Sequence, residues 1–276
     1  MKLAFSSNAF TGCGLDRTID VLASIGYDGI EIMADVPHAF PLHLSEDDIE
    51  GIRKTLAAKH LEISNINAFM HHADGDTYHP SWIEKDPLLR AKRVDYTLRC
   101  IDLAAKLGAR NLSTEPGGPL DGMSAGEGMR LFRDGLDAVA GRAREMGIRI
   151  LIEPEPGLLI ENSAQFLSLF ETLDSTVFGL NFDIGHFFCV GEDPARLVRE
   201  LKDVTGHFHL EDIADSRVHH HLMPGRGAID LAGVLSEIDA AGYTGFVTVE
   251  LYTYADRPEE AAKEAFDYLT ALREWR

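Results

Sequence analysis

The feature that most constrains this chain is a regular alternation of short apolar runs with longer amphipathic stretches. The apolar runs occupy residues 3–6, 29–33, 63–69, 111–114, 148–152, 178–182, 204–210 and 246–251. Helical periodicity is expected over 16–24, 44–60, 86–107, 124–146, 162–173, 193–202, 230–241 and 258–275. Several of these segments carry their own start and stop signals. Asp16 is a good N-cap residue, Pro87 after Asp86 suits a first helical position, and Ser124 with Glu127 resembles a capping box. Gly108, Gly147 and Gly242 stand where helices should stop. The later apolar runs are rich in β-branched and aromatic residues and read as strands buried on both faces, as in a parallel sheet. Eight strand–helix units in 276 residues predict the α/β class and a (β/α)8 barrel, one domain spanning 1–276 with no linker. The rival is an open doubly wound sheet, which usually places a glycine-rich phosphate loop after its first strand. Gly12-Cys13-Gly14 is no GxGxxG, and no GxxxxGK[ST] occurs.

Composition narrows the function classes. The chain holds 45 Asp plus Glu against 26 Lys plus Arg, a net charge of −19. Sequence-independent binding to nucleic-acid backbones needs a basic face, so no nucleic-acid partner is expected. No apolar stretch approaches the roughly 20 residues needed to span a bilayer. The N-terminal run lacks a cleavage-site pattern. Cys13, Cys100 and Cys189 form no CxxC pair and suggest no disulfide framework. A cytoplasmic protein with no membrane partner is the expectation.

In such a barrel, chemistry sits at the C-terminal ends of the strands. The polar residues there are Asn65, Asn67, His71 and His72 after the third run, Glu115 after the fourth and Glu153 with Glu155 after the fifth. The sixth run ends in Asn181 with Asp183 and His186 after it, the seventh carries His207 and His209 with Glu211 after it, and Glu250 stands at the end of the eighth. Glu153, Asp183, His209 and Glu250 come from four successive strands along one arc of the mouth. Three carboxylates crowded together repel unless protonated or neutralised by a cation. Three oxygen donors and one imidazole suit a divalent ion; Mn²⁺ or Mg²⁺ fits best by ligand softness, with Co²⁺, Fe²⁺ and Zn²⁺ as alternatives.

These residues, in their order and spacing, resemble the xylose isomerase-like TIM-barrel superfamily. The segments that carry the resemblance are Glu153 after the run 148–152, Asp183-Ile184-Gly185-His186, His207-Phe208-His209-Leu210-Glu211-Asp212, Pro224-Gly225-Arg226-Gly227 and the run ending at Glu250. The resemblance implies that Glu153, Asp183, His209 and Glu250 ligate the metal and that Glu153 and Glu250 also act as acid and base. It further implies an isomerase or epimerase acting on a small keto-sugar or related polyhydroxy ketone through an enediolate. A lyase or dehydratase on an inosose-like or C-glycoside substrate is the alternative, and a multi-zinc phosphodiesterase a third. His186 is similar to residues that contact substrate oxygen. Arg226, in a Gly-Arg-Gly loop, is either a substrate grip or a surface ion pair. Glu155, His221 and His71 complete the candidate substrate contacts, with His219 and His221 also open to a role in binding further zinc. The stretch after His209 contains no Arg, where the tagatose/psicose epimerase branch carries one. The segment 69–82 is expected to cover the mouth. Phe10, Phe40, Tyr78, Trp82 and Phe187 are either sugar-stacking or packing residues. Barrels of this kind often associate as homo-dimers or homo-tetramers.

Overall fold

The computed structural model describes residues 1–69 and 71–274. Its strands are β1 (Lys2–Ser6), β2 (Gly29–Met33), β3 (Glu62–Asn67), β4 (Asn111–Thr114), β5 (Arg149–Ile152), β6 (Phe178–Asp183), β7 (Thr205–Leu210) and β8 (Phe246–Val249). Each pairs in parallel with its chain neighbour, and β1 pairs with both β2 and β8, so the sheet closes into a barrel. The expected architecture is borne out. The helices are α1 (Leu15–Ile25), α2 (Glu46–Lys59), α3 (Pro87–Leu107), α4 (Ala125–Met146), α5 (Ser163–Phe170), α6 (Ile184–Cys189), α7 (Pro194–Leu201), α8 (Leu231–Ala240) and α9 (Pro258–Glu274).

Local chemistry explains most boundaries. Ser45 and Asp48 form a reciprocal capping box on α2, Asp86 caps α3 ahead of Pro87, and Ser124 accepts from Glu127 N on α4. Gly108 and Gly147 end α3 and α4 in the left-handed conformation at φ +82° and +69°. Two expectations shift. The first helix starts at Leu15 with Gly14 as its cap, so Asp16 lies in the first turn rather than at the N-cap. The short helix α6 was not anticipated, because Asp183 is at once the last residue of β6 and the N-cap of α6, its carboxylate accepting from His186 N at 2.7 Å. The last helix was expected to reach Trp275, which lies outside the described residues.

Strand side chains alternate between the two faces of the sheet. Ile30, Ile32, Ile66, Phe182, Phe208 and Val249 join the apolar core with the surrounding helices. Their strand neighbours Glu31, Asn65, Asn67, Asn181, His207, His209 and Thr248 are buried and polar. The usual barrel interior is layered with branched apolar side chains, but here hydrogen bonds fill it. Ser64 Oγ accepts from Thr248 at 3.0 Å, Thr248 meets His207 Nε2 at 2.7 Å, and His207 Nδ1 meets Asn181 Oδ1 at 2.7 Å. The chain ends where Asn181 Nδ2 donates to Glu153 at 2.8 Å. The register shifts between Ile30 and Glu31 against β3, and between Leu180 and Asn181 against β7. Such irregularities re-aim side chains next to sites, and here each falls at a member of the polar network.

Candidate metal centre and mouth

The ends of β5 to β8 bring Glu153, Asp183, His209 and Glu250 together. One ligand atom from each of these four buried side chains lies within 4.8 Å of every other. His209 Nδ1 faces the acids, 2.8 Å from Glu153 Oε1, 3.6 Å from Glu250 Oε2 and 3.7 Å from Asp183 Oδ2. Asp183 Oδ1 is satisfied by the α6 cap, while Asp183 Oδ2 is buried without a hydrogen-bond partner among the described residues. A buried carboxylate oxygen left bare is costly unless something else meets it. Burial pushes the Glu250 carboxyl well above its usual range; His209 opposes this, and the charges of Glu153, Glu31 and Asp183 add to it. A divalent cation satisfies the bare oxygen and relieves the crowding together, so the donor set fits one.

The support beneath this set includes a residue the sequence reading passed over. Glu31, wholly buried on β2, accepts from His209 Nε2 at 2.7 Å. Ser6 Oγ at 2.7 Å, Asn65 Nδ2 at 2.8 Å and Asn67 Nδ2 at 3.2 Å also donate to it. Burial alone would raise its pKa; the neighbouring His209 charge and these bonds outweigh that and hold it at about 2. Glu31 is therefore a carboxylate, and it orients the imidazole so that Nδ1 points at the acids. The signal was present in Gly29-Ile30-Glu31-Ile32-Met33, a lone acid inside an apolar strand. Asn8, just after β1, was also missed; its Nδ2 donates to Glu250 Oε1 at 2.8 Å. Glu211 lies behind Asp183, and burial and the Asp183 charge push its pKa well up. Its Oε1 accepts from Gly185 N at 2.6 Å, an approach that a Cβ on residue 185 would block.

Above the three acids and the imidazole lies a cavity of about 460 Å³. Glu153, Glu250, Glu155 and His186 line it, with Asn8, Phe69, His72, Tyr78, His219 and Tyr252 among the other walls. The segment between β3 and α3 crosses the mouth, tied down where Tyr78 donates its hydroxyl to Glu155 Oε1 at 2.9 Å; Met70 within it lies outside the described residues. Burial pushes Glu155 up to about 7. His186 Nδ1–H donates to Pro154 O at 2.9 Å, which leaves Nε2 near Asp183 at 3.7 Å. His221 Nδ1–H donates to Glu250 O at 3.0 Å, and its Nε2 lies 3.2 Å from His219 Nε2.

The remaining candidates lie elsewhere. Arg226 is half exposed and pairs with Glu264 on the outer surface, so the structure gives it the surface ion pair and not the substrate grip. His71 is buried away from the cavity wall, stacked on Tyr96 with ring centroids 4.3 Å apart; its neighbour His72 lines the cavity instead. Glu115 is buried 3.7 Å from Arg93 and stands apart from the four-residue cluster. A multi-zinc site would need further ligands after β3 and β4; among the described residues His71 and Glu115 join none of the clusters that could hold an ion. Of the aromatic candidates, Tyr78 lines the cavity, whereas Phe10, Phe40, Trp82 and Phe187 are core.

A family model described as xylose isomerase-like TIM barrel matches residues 19–272. The chain belongs to that family. Among curated relatives, an inosose dehydratase of Lacticaseibacillus casei is 30% identical over 155 residues, covering 50% of this chain and 52% of the relative. The match to that relative thus spans about half its length. A fructoselysine 3-epimerase of Shigella flexneri is 25% identical over 256 residues, covering 91% of this chain and 90% of the relative. Among solved structures, the IolI protein with a bound zinc atom superposes with a TM-score of 0.81 at 21% identity, covering 99% of this chain and 98% of that one. No helix among the described residues is long and apolar enough to cross a membrane.

Proposed function

We propose that this chain is a divalent-metal-dependent enzyme that epimerises or isomerises a small, uncharged polyhydroxy ketone. The observation that carries the reading is the pair Glu153 and Glu250. Both line the cavity, both adjoin His209 Nδ1, and each is held by its own amide, Asn181 on one and Asn8 on the other. Glu153, Asp183, His209 and Glu250 would hold the ion, with Mn²⁺ or Mg²⁺ preferred for the three hard oxygen donors. When bound, the ion stabilises negative charge developing on the substrate's carbonyl oxygen. The residues supply the rest. One carboxylate takes the proton from the carbon beside the carbonyl, and the other carries a proton to the opposite face, which inverts that centre. Asn8 and Asn181 fix the orientation of Glu250 and Glu153 by donating to one oxygen of each, and His186 Nε2 is placed to meet a hydroxyl. Tyr78 forms part of the cavity wall and is tied to Glu155. Among the described residues, none that line the cavity is Lys or Arg, which favours an unphosphorylated substrate. The epimerase relative that aligns along most of the chain supports the same reading.

Dehydration is the second reading, favoured by one specific feature. Glu155 is a further buried acid on the cavity wall, beyond the four-residue set, and is placed to protonate a departing hydroxyl. The named dehydratase among the relatives is consistent with it. The test is incubation of Mn²⁺-loaded protein with a panel of keto-sugars and inososes, followed by NMR of the products. A new stereoisomer supports the first reading and an unsaturated or rearranged ketone the second. No turnover of any panel member, with and without Mn²⁺, Mg²⁺, Co²⁺ or Zn²⁺, counts against both.

A further inference from the structure

At the opposite end of the barrel, where the strands begin, lies a second cavity of about 920 Å³. Its walls carry Lys2, Arg53, Arg110 and Arg149 against the single carboxylate Glu62. That sign is unexpected on a chain of net charge −19. Two of the four cations are neutralised, Lys2 by Glu62 at 2.5 Å and Arg53 by Glu50 at 3.3 Å. The other two are not. Arg110 makes no side-chain hydrogen bond or ion pair among the described residues. Arg149 is partly buried, and its one side-chain bond there is a long donation to Phe178 O at 3.4 Å. Both line this cavity, and their backbones adjoin where Arg149 N bonds to Arg110 O at 3.0 Å, just before β4. Gly179 and Gly206 on the next two strands open the slot for the Arg149 guanidinium. A Cβ at 179 would strike Nη2, and one at 206 would come within 3.3 Å of Nη1. A guanidinium withdrawn from water without an acidic partner is an unmet cost, and burial does lower the Arg149 pKa.

We propose that this floor cavity binds a small oxyanion of the phosphate class, gripped by Arg110 and Arg149. Planar guanidinium forks match tetrahedral oxyanions through paired, charge-assisted hydrogen bonds. The volume leaves room for an organic group beyond the anion. The inference is independent of the chemistry at the mouth, which lies at the other end of the strands.

The test is calorimetric titration with inorganic phosphate and with a sugar phosphate, at constant ionic strength set by chloride. It is run on Mg²⁺-loaded protein and again after chelation, because phosphate bound at the metal centre would vanish with the metal. The expected result is saturable binding in both states, weakened at least about tenfold by Arg149→Gln and by Arg110→Gln. Tighter binding of the sugar phosphate would assign the site to a phosphorylated metabolite, and equal or weaker binding to phosphate itself. Arg110 is exposed, so Arg110→Gln keeps the test decisive if Arg149→Gln disturbs the floor. No saturable binding, binding only with Mg²⁺ present, or unchanged binding in a folded Arg110→Gln variant would overturn the proposal.

Discussion

Glu31→Gln is the perturbation that most sharply separates support of the metal centre from simple packing. All four neighbours of the Glu31 carboxylate donate to it: Ser6 Oγ and Asn67 Nδ2 to Oε1, Asn65 Nδ2 and His209 Nε2 to Oε2. A glutamine of the same shape must turn its NH₂ toward one pair. Facing Ser6 is cheaper, because a hydroxyl can rotate to accept, and the only bond then lost is the 3.2 Å one from Asn67. The amide oxygen keeps Asn65 and His209. What disappears is the charge on the bond that orients His209. Charge-assisted hydrogen bonds exceed neutral ones by about 1–1.5 kcal/mol, which is roughly tenfold in an equilibrium constant. Glu31→Gln should therefore bind Mn²⁺ about tenfold more weakly with a nearly unchanged urea midpoint. Glu31→Ala, which strips all four donors of their acceptor, should approach a hundredfold loss and also destabilise the fold. Calorimetric titration of chelated, reloaded protein measures the affinities. Wild-type affinity in Glu31→Gln would refute the claim that the carboxylate acts through His209.

Other consequences follow from single contacts. Arg93→Met removes a fully buried guanidinium that donates to Phe69 O and Ala68 O, both at 2.8 Å; burial already pushes the nearby Glu115 carboxyl up to about 8, so the cost is that of the stripped carbonyls, about 1–3 kcal/mol each in urea unfolding. Arg226→Ala removes only a surface pair with Glu264, so kcat/KM should stay within about twofold and stability within about 1 kcal/mol; a large fall in kcat/KM would return Arg226 to the substrate. Burial lowers the pKa of both His38 and His71 from the ordinary 6.5 to about 4, so both are neutral in the fold. Because the unfolded chain takes up those protons first, their contribution is complete above about 6.5 and is lost as pH falls toward 4. The raised carboxyls of Glu155, Glu211 and Glu250 act in the opposite sense, so the test is differential: His38→Gln should raise the urea midpoint near pH 4.5, relative to its value at pH 7, above that of the parent chain.

The barrel was legible because its signals are local: an N-cap such as Ser45, a stop such as Gly147, an apolar run such as 148–152. The three acids and the imidazole were legible because each directly ends or punctuates a strand. Residues whose meaning depends on a partner far along the chain were not. Glu31 contacts His209 from 178 positions away and Asn8 reaches Glu250 across 242, so neither declared itself by spacing. Arg226 misled for the opposite reason, since its glycine-flanked loop looks like a ligand grip until Glu264 is brought beside it by α9. His71 and His72 are adjacent and chemically identical, and only the turn after β3 decides that His72 meets the cavity while His71 packs on Tyr96.

The central claim is that Glu153 and Glu250 move protons at a carbon beside a carbonyl on a metal-loaded site. Deuterium incorporation tests it most directly: metal-loaded protein is incubated in D₂O with the ketone it turns over, and the carbon-bound hydrogen is followed by NMR. The account predicts exchange at the carbon next to the carbonyl, abolished by chelation and by Glu153→Gln or Glu250→Gln in folded protein. Turnover with no deuterium incorporated, or exchange that survives both substitutions, would contradict it.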